Sequence, residues 1–364
     1  MGINDLWDLL KPVARILTLE EFVAEHQEEV SALHTYKLSL GVDAGPILTI
    51  FKTSASCPSH KCKHAPSAAN HTQLFMFCGQ IAQVMDCCNF VYDGKERPDE
   101  KRGIKVLKDE TPFFKQSRLL VNSFGFGFHN APAEGEAELA ALEKHGAVNA
   151  VMTTDSNVIP LGIQWILVPD FKDSTAVSLK VTIYSAAQIE QILKLSHNCL
   201  IFYSVLAGTD LRGVHGIGQT IGMELALTGI ADSLVFDYQS NTCQVHMAVL
   251  REKMCEVLWS DLSHTYGSLA SYIKALSEFP PAEPLCTLIL PLTSWSEGRV
   301  PPQIQDWRAS IHDLEGIIRY CCEHVGWDGT RLLKQFHEKL WVGMILSMLR
   351  YLCSNDNNST TTMT

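Results

Sequence analysis

The sequence predicts an α/β domain with a largely parallel sheet, followed by a helical region. Two patterns carry that reading. Through the first half, apolar runs of strand length alternate with segments of helical spacing, the order that builds parallel sheets. From about Ala186 onward the spacing turns helical. The 364 residues, 46% of them hydrophobic, are ample for a sizeable core in one large domain or two smaller ones. No internal sequence repeat is visible, so the alternation is architectural.

The chain opens on "MGINDLWDLLKP", a short helix from Asn4 to Leu10 that Pro12 stops. Thr18 to about Ala32 is amphipathic and begins with a Thr cap. "KLSLGVDAG" is a buried strand ending at Asp43, and residues 53–70 form a polar loop. "TQLFMFCGQIAQVMDCC" is a helix that is apolar almost all round and therefore buried. "NFVYDGKERPDEKRG" is a second strand ending at Asp93, then a charged segment. Lys115 to Phe124 and Ala133 to His145 are helices, the latter with Pro132 near its start. "AVNAVMTTD" is a third strand, ending at Asp155, and "IQWILVP" and "KVTIYS" are further strands. "FPPAEP" and "SEGRVPP" mark loops in the helical half, and "SNDNNSTTTMT" has the composition of a disordered tail.

Charge narrows the function classes. Basic residues number 29 against 40 acidic, a net charge of −11. That argues against a broad polybasic surface and leaves room for a local basic track. Twelve cysteines without a leading apolar signal argue for reduced thiols, in cytosol or nucleus. No stretch approaches ~18 uninterrupted apolar residues, so no membrane span or membrane partner is expected. Leu6 stands where myristoylation of Gly2 would need Ser or Thr. "CPSHKCKH" gathers Cys57, His60, Cys62 and His64 in a spacing that matches no common zinc site, and a polar loop is expected there. Neither a Ser-His-Asp order nor a Walker loop is present.

The informative feature is acidic. Three expected strands end on Asp43, Asp93 and Asp155, and sites in parallel α/β sheets lie beyond the carboxyl ends of the strands. Glu134 and Glu136 open the helix leading into the third strand. A helix start favours each carboxylate by only ~0.3–1 kcal/mol, too little to offset five that converge. A hard divalent cation, Mg²⁺ or Mn²⁺, suits such an oxygen cluster, and two such ions support in-line phosphodiester hydrolysis. A single Asp at a strand end is ordinarily a cap; it is the coincidence that carries the argument. Glu138 reads as the solvated face of its helix.

"MGINDLWDLLKP", "GVDA", "FVYDGKERPDEKRG", "APAEGEAELAAL", "MTTDSN" and "AGTDLRGVHGIG" occur in the order found in the XPG and flap-endonuclease family. The resemblance spans roughly residues 1–350 and looks closest to the GEN-type junction resolvases, through "IIRYCCEHVGWDGTRLLKQFHEKLW". It implies a PIN-like nuclease core over residues 1–190 and a helical region over 191–350. Within that region a helix-two-turn-helix-like turn is expected near 208–226, with a disordered tail at 354–364. It implies a metal-dependent, structure-specific endonuclease acting on branched or duplex DNA in the nucleus. The alternative is a catalytically inactive XPG-like scaffold or nucleic-acid-binding module.

Carried over residue by residue, the family's metal ligands fall on Asp43, Asp93, Glu134, Glu136, Asp155 and Asp210. The seventh position is Asn157, where the family has Asp, so two Mg²⁺ or Mn²⁺ ions are expected with the second weakly held. The family also uses the Gly2 amine near the metals and a basic pair that contacts the scissile phosphate. Lys101 and Lys108 fit that pair, and their spacing of seven would place both on one helical face. "GVHGIG" resembles the turn whose backbone amides grip a duplex phosphate, often with a bound K⁺. This nominates Gly216 and Gly218, with Arg212 as the nearest cation. Three features depart from the pattern: the arch expected after Lys108 is almost absent, Gly79 and Ala82 stand where DNA-facing arginines are expected, and "QTIGMEL" follows the turn without the usual basic residue. Oligomeric state is left open, including a dimer on junction DNA.

Overall fold

The computed structural model describes residues 2–3, 5–32, 38–54, 66–85, 87–101, 103–172, 178–211, 213–232, 243–260, 266–276, 279, 282–303, 307, 312–346 and 348–349. The Cys57–His64 stretch, Arg212 and the 354–364 tail lie outside these residues.

A seven-stranded sheet has the order β1-β9-β8-β7-β2-β3-β6. Its strands are β1 (Arg15–Thr18), β2 (Ser39–Asp43), β3 (Cys87–Tyr92), β6 (Gly127–Asn130), β7 (Ala150–Met152), β8 (Trp165–Pro169) and β9 (Lys180–Ser185). The run from β8 through β7, β2 and β3 to β6 is parallel, whereas β9 is antiparallel to both β8 and β1. A small hairpin of β4 (Glu100–Lys101) and β5 (Ile104–Lys105) stands apart from the sheet. Chain order reverses at β2, with β3 on one side and β7 on the other. Such a switch point opens a crevice at the carboxyl ends of the strands.

The parallel strands read as apolar runs because both faces are covered. All five residues of β2 are buried. Along β3, Phe90 and Tyr92 enter one core and Val91 the other, as the two-residue strand period requires. The two cores share the helical region. Helices α8 (His197–Ala207) and α9 (Gln219–Ala226) pack with Ile3, Leu139 and Ile166 on one face. Ile317, Tyr320, Trp327 and Phe336 pack with Phe75 and Phe90 on the other. Each fully buried Phe or Leu contributes roughly 1.5–3 kcal/mol.

Local chemistry explains several boundaries. Helix α2 (Leu19–Ala32) begins with a capping box: the Thr18 backbone N–H donates to the Glu21 carboxylate (2.7 Å), and the Glu21 N–H donates back to Thr18 Oγ1 (3.2 Å). Strand β1 was not expected because its four residues run directly into that cap. Strand β6 was not expected either; its burial is mixed, and it sits at the sheet edge. Helix α4 (Pro66–Ala82) starts inside the stretch expected as loop and stops short of Cys87 and Cys88, which open β3. Helix α5 (Pro112–Ser123) begins three residues earlier than Lys115, with Pro112 in its first turn. The opening helix is shorter than expected, Leu6–Leu9. No helix among the described residues is long and apolar enough to cross a membrane.

Candidate metal centre

The acidic site is built at the switch point. Asp43 is the last residue of β2, and Asp93 follows β3 directly. Two tight backbone contacts dock the next acidic segment against them. The Ala131 N–H donates to the Tyr92 carbonyl (2.8 Å) and the Gly94 N–H to the Ala133 carbonyl (2.6 Å). A Cβ on Gly94 would sit 2.0 Å from the Pro132 carbonyl oxygen, so only glycine allows this approach. Glu134 is then the N-cap of α6 (Gly135–Lys144), with Glu136 in the first turn. A Cβ on Gly135 would lie 3.1 Å from Asp93 Oδ1 and 3.4 Å from Asp43 Oδ1, so its absence lets both carboxylates close on the helix start.

Asp155 lies three residues beyond β7 rather than at its end. It caps a 3-10 helix (Ser156–Leu161) by accepting from the Asn157 N–H at 3.0 Å. The chain start lies against it: the Ile3 N–H donates to Ser156 Oγ (2.7 Å), and a Cβ on Gly2 would fall 2.4 Å from Asp155 Oδ1. Asp210 enters from the loop after α8 and accepts from Lys101 Nζ at 2.7 Å.

The structure thus brings Gly2, Asp43, Asp93, Lys101, Glu134, Glu136, Asp155, Asn157 and Asp210 to one place. Asp93, Glu134 and Glu136 each offer an oxygen within 4.8 Å of the others. Lys101, Glu134, Glu136, Asn157 and Asp210 line one cavity together with Leu161, Leu211 and Leu288. Burial, then Asp93, Asp155 and Glu134, push the Asp43 carboxyl well above the usual range. Burial and Glu134 do the same to Glu136. Glu134 and Asp155 are raised as well, chiefly by burial. Burial opposes charge on Lys101, but Glu136, Glu134 and Asp210 outweigh it and hold the ammonium well above an ordinary lysine.

The hydrogen bonds leave a specific shortfall. Asp43 Oδ2 accepts from Thr153 Oγ1 (2.8 Å), Asp93 accepts from the Gly135 N–H and from Arg97 (both 2.9 Å), and Glu134 Oε2 accepts from Lys101 (2.9 Å). Among the described residues, Asp43 Oδ1, Glu134 Oε1 and Asn157 Oδ1 are buried without a partner. Buried oxygens with no donor are costly. Their hardness and number suit a divalent cation with oxygen ligation, so the residues present fit the metal that the motifs imply.

Three expectations are corrected. Lys101 and Lys108 do not share a helical face, because residues 100–105 form a hairpin; Lys101 points into the site, while Lys108 pairs with exposed Asp99. Glu138 is fully buried rather than solvated, accepting from the Ser294 N–H and facing His129 Nε2, each at 2.8 Å. Gly79 and Ala82 are buried beneath the C-terminal helical segment; a Cβ on Gly79 would meet Leu340 at 3.1 Å, and Gln83 Nε2 donates to the Lys339 carbonyl (2.6 Å). Covering that face makes small residues a packing requirement. Arg97 and Thr153 were missed altogether. Arg97 stands four residues after Asp93 and carried only a weak signal inside the charge run; Thr153 carried none. Gly216 has φ +85°, and Gly218 is the N-cap of α9, so the glycine turn sits at a helix start.

Comparison with known proteins follows the same lines. Residues 125–210 match the XPG I-region, a span holding Glu134, Glu136, Asp155, Asn157 and Asp210. Flap endonuclease 1 of Danio rerio is 31% identical over 126 residues, 34% of this chain and 32% of that protein. DNA repair protein rad13 of Schizosaccharomyces pombe is 22% identical over 278 residues, 72% of this chain and 23% of that protein. The matches therefore cover about a third or less of these relatives' length. Among solved structures, the Holliday junction-resolving enzyme GEN1 in complex with product DNA and Mg²⁺ superposes with a TM-score of 0.70 at 20% identity, covering 93% of this chain and 78% of that one. The catalytic core of Rad2 in complex with DNA substrate gives 0.65 at 18%, covering 93% and 100%. The fold is that of the XPG-type nuclease cores, and the resemblance to the XPG and flap-endonuclease family holds in both sequence and structure.

Proposed function

We propose that the chain is a metal-dependent, structure-specific DNA endonuclease that cuts flap or junction DNA in repair or recombination. The observation that supports it best is the set of orphaned buried oxygens on Asp43, Glu134 and Asn157, gathered at the switch point of a nuclease fold. Asp43, Asp93, Glu134 and Glu136 would hold a first Mg²⁺ or Mn²⁺. Asp155, Asn157 and Asp210 would offer a second, weaker position, since Asn157 brings no charge. Held by these residues, a divalent ion would supply the Lewis acidity to activate water and the charge to stabilise the leaving oxygen.

The chain's own residues do the rest. Lys101 would present a fixed positive charge to the phosphate, and the Gly2 amine, once methionine removal freed it, would lie in the neighbourhood of Asp155. Lys108, on the surface beside Asp99, is within the same charged segment and would meet the backbone farther along the strand. The turn at Gly216 and Gly218, with Arg212 and a K⁺, would receive a duplex phosphate on the amides that open α9. The nuclease core would be residues 1–190 and the helical region 191–350, acting in the nucleus. Only 18 residues separate Asp93 from Pro112, and within them residues 100–105 pair as a hairpin, so free ends would not be threaded.

A second reading, an inactive scaffold or nucleic-acid-binding module, is favoured by Asn157 and by the covered α4 face. One experiment separates the two: purified protein with Mg²⁺ or Mn²⁺ on labelled flap, bubble, four-way and single-stranded DNA, beside Asp43→Ala. Ion-dependent cutting of a branched substrate, lost in the variant, supports the enzyme. Binding without cutting in either ion supports the module.

A further inference from the structure

We infer that Lys101 is the second cation of this centre: its ammonium engages Asp210, one of the three residues that would otherwise take a second divalent ion, leaving one exchangeable metal and one built-in positive charge. This rests on the metal-centre reading above and adds the stoichiometry.

The geometry is specific. Lys101 Nζ lies 2.9 Å from Glu134 Oε2 and 2.7 Å from Asp210 Oδ2, so it bridges the start of α6 and the loop after α8. These are charge-assisted contacts in a largely buried setting, where they are worth more than on a surface. The lysine is presented by a short hairpin. Lys101 pairs with Ile104 in the β4–β5 hairpin, whose turn is closed by Gly103 at φ +81°. A side chain delivered this way competes with free ions intramolecularly.

The ligand set agrees. A second ion would draw on Asp155, Asn157 and Asp210; Asn157 is neutral, and one Asp210 oxygen already accepts from Lys101. Leu161, Leu211 and Leu288 wall the same cavity. The other ligand cluster, Asp93, Glu134 and Glu136, retains room for one ion, with Glu134 Oε1 still without a partner. Arg97 pairs with Asp93 Oδ2 and leaves the Asp43 Oδ1 and Glu134 Oε1 positions open.

The test is ion stoichiometry in DNA-free protein, read by Mn²⁺ equilibrium dialysis and electron paramagnetic resonance, with the fold checked by near-ultraviolet circular dichroism. The wild type should bind one Mn²⁺ per chain. Lys101→Gln should bind a second, with affinity for it raised about tenfold or more once the tethered competitor is gone. Lys101→Arg, which keeps the charge, and Lys108→Gln should both stay at one. Asn157→Asp combined with Lys101→Gln should bind two ions of similar affinity. Two comparable ions in the wild type, or a single ion in folded Lys101→Gln, would overturn the inference while leaving the metal centre standing. No ion in wild type or folded Lys101→Gln would overturn the metal centre itself.

Discussion

Helix α6 carries two kinds of carboxylate four residues apart, one at its N-cap and one a turn further on. Glu138, fully buried, has both oxygens engaged: one at 2.8 Å from His129 Nε2, the other accepting from the Ser294 N–H at 2.8 Å. Glu134, one turn earlier, has one oxygen on Lys101 and the other buried without a partner among the described residues. Asp43 shows the same division, with Thr153 on one oxygen and no partner among the described residues on the other. A carboxylate whose acceptors are satisfied by the protein is a structural tie. One left short inside a cluster of like charges requires something from outside. The tie at Glu138 holds the segment around Ser294 against α6, where Trp295 also stacks on His145 with ring centroids 4.4 Å apart. Glu134 lines the cavity, and Asp43 is buried beside it at the end of β2.

The largest expected effect falls on the unsatisfied side. Asp43→Ala should reduce ion-dependent cleavage of a branched substrate by roughly a thousandfold or more, since metal-borne charge stabilisation is worth several kcal/mol and each ~1.4 kcal/mol is tenfold. Single-turnover rates decide it, and cleavage at the wild-type rate would break the comparison. Next, Mn²⁺ at a hundred times its Kd should stabilise the wild type by about 2.7 kcal/mol in urea unfolding. Glu138→Ala should keep that increment, while Asp43→Ala should lose most of it.

On the satisfied side, Glu138→Ala should destabilise the ion-free protein by about 1–3 kcal/mol, because the buried Ser294 N–H loses its acceptor. Asp43→Ala, which removes a buried carboxylate in a crowd of like charges, should leave the ion-free protein no less stable. If both variants lose equally, the distinction between tie and site collapses.

The smallest effect concerns Glu143, farther along the same helix. It accepts from the backbone N–H groups of Gln164 (2.8 Å) and Trp165 (3.3 Å), yet burial pushes its carboxyl up to about 7. The folded protein then holds this proton more tightly than the unfolded chain. Its contribution favours the fold below the ordinary carboxylate pKa and is lost as pH rises through about 7. Glu143→Gln should flatten that part of the melting-temperature profile between pH 4.5 and 7; an unchanged slope would remove Glu143 from the account.

What the sequence determined by itself is what depends on neighbours along the chain. Apolar runs closed by Asp43 and Asp93, and a Glu pair behind Pro132, place acidic groups at strand and helix ends, because period and punctuation are local. The parallel α/β class followed from the same alternation. Tertiary structure decided which of those charges are partnered. Glu138 meets Ser294 across 156 residues, Lys101 meets Asp210 across 109, and Gln83 meets Lys339 across 256. Nothing in the spacing of "EGEAE" separates the glutamate that is tied from the two that are not. Whether a carboxylate is solvated, tied or left for a cation is set by donors delivered from distant segments, and burial multiplies the consequence by lowering the local dielectric.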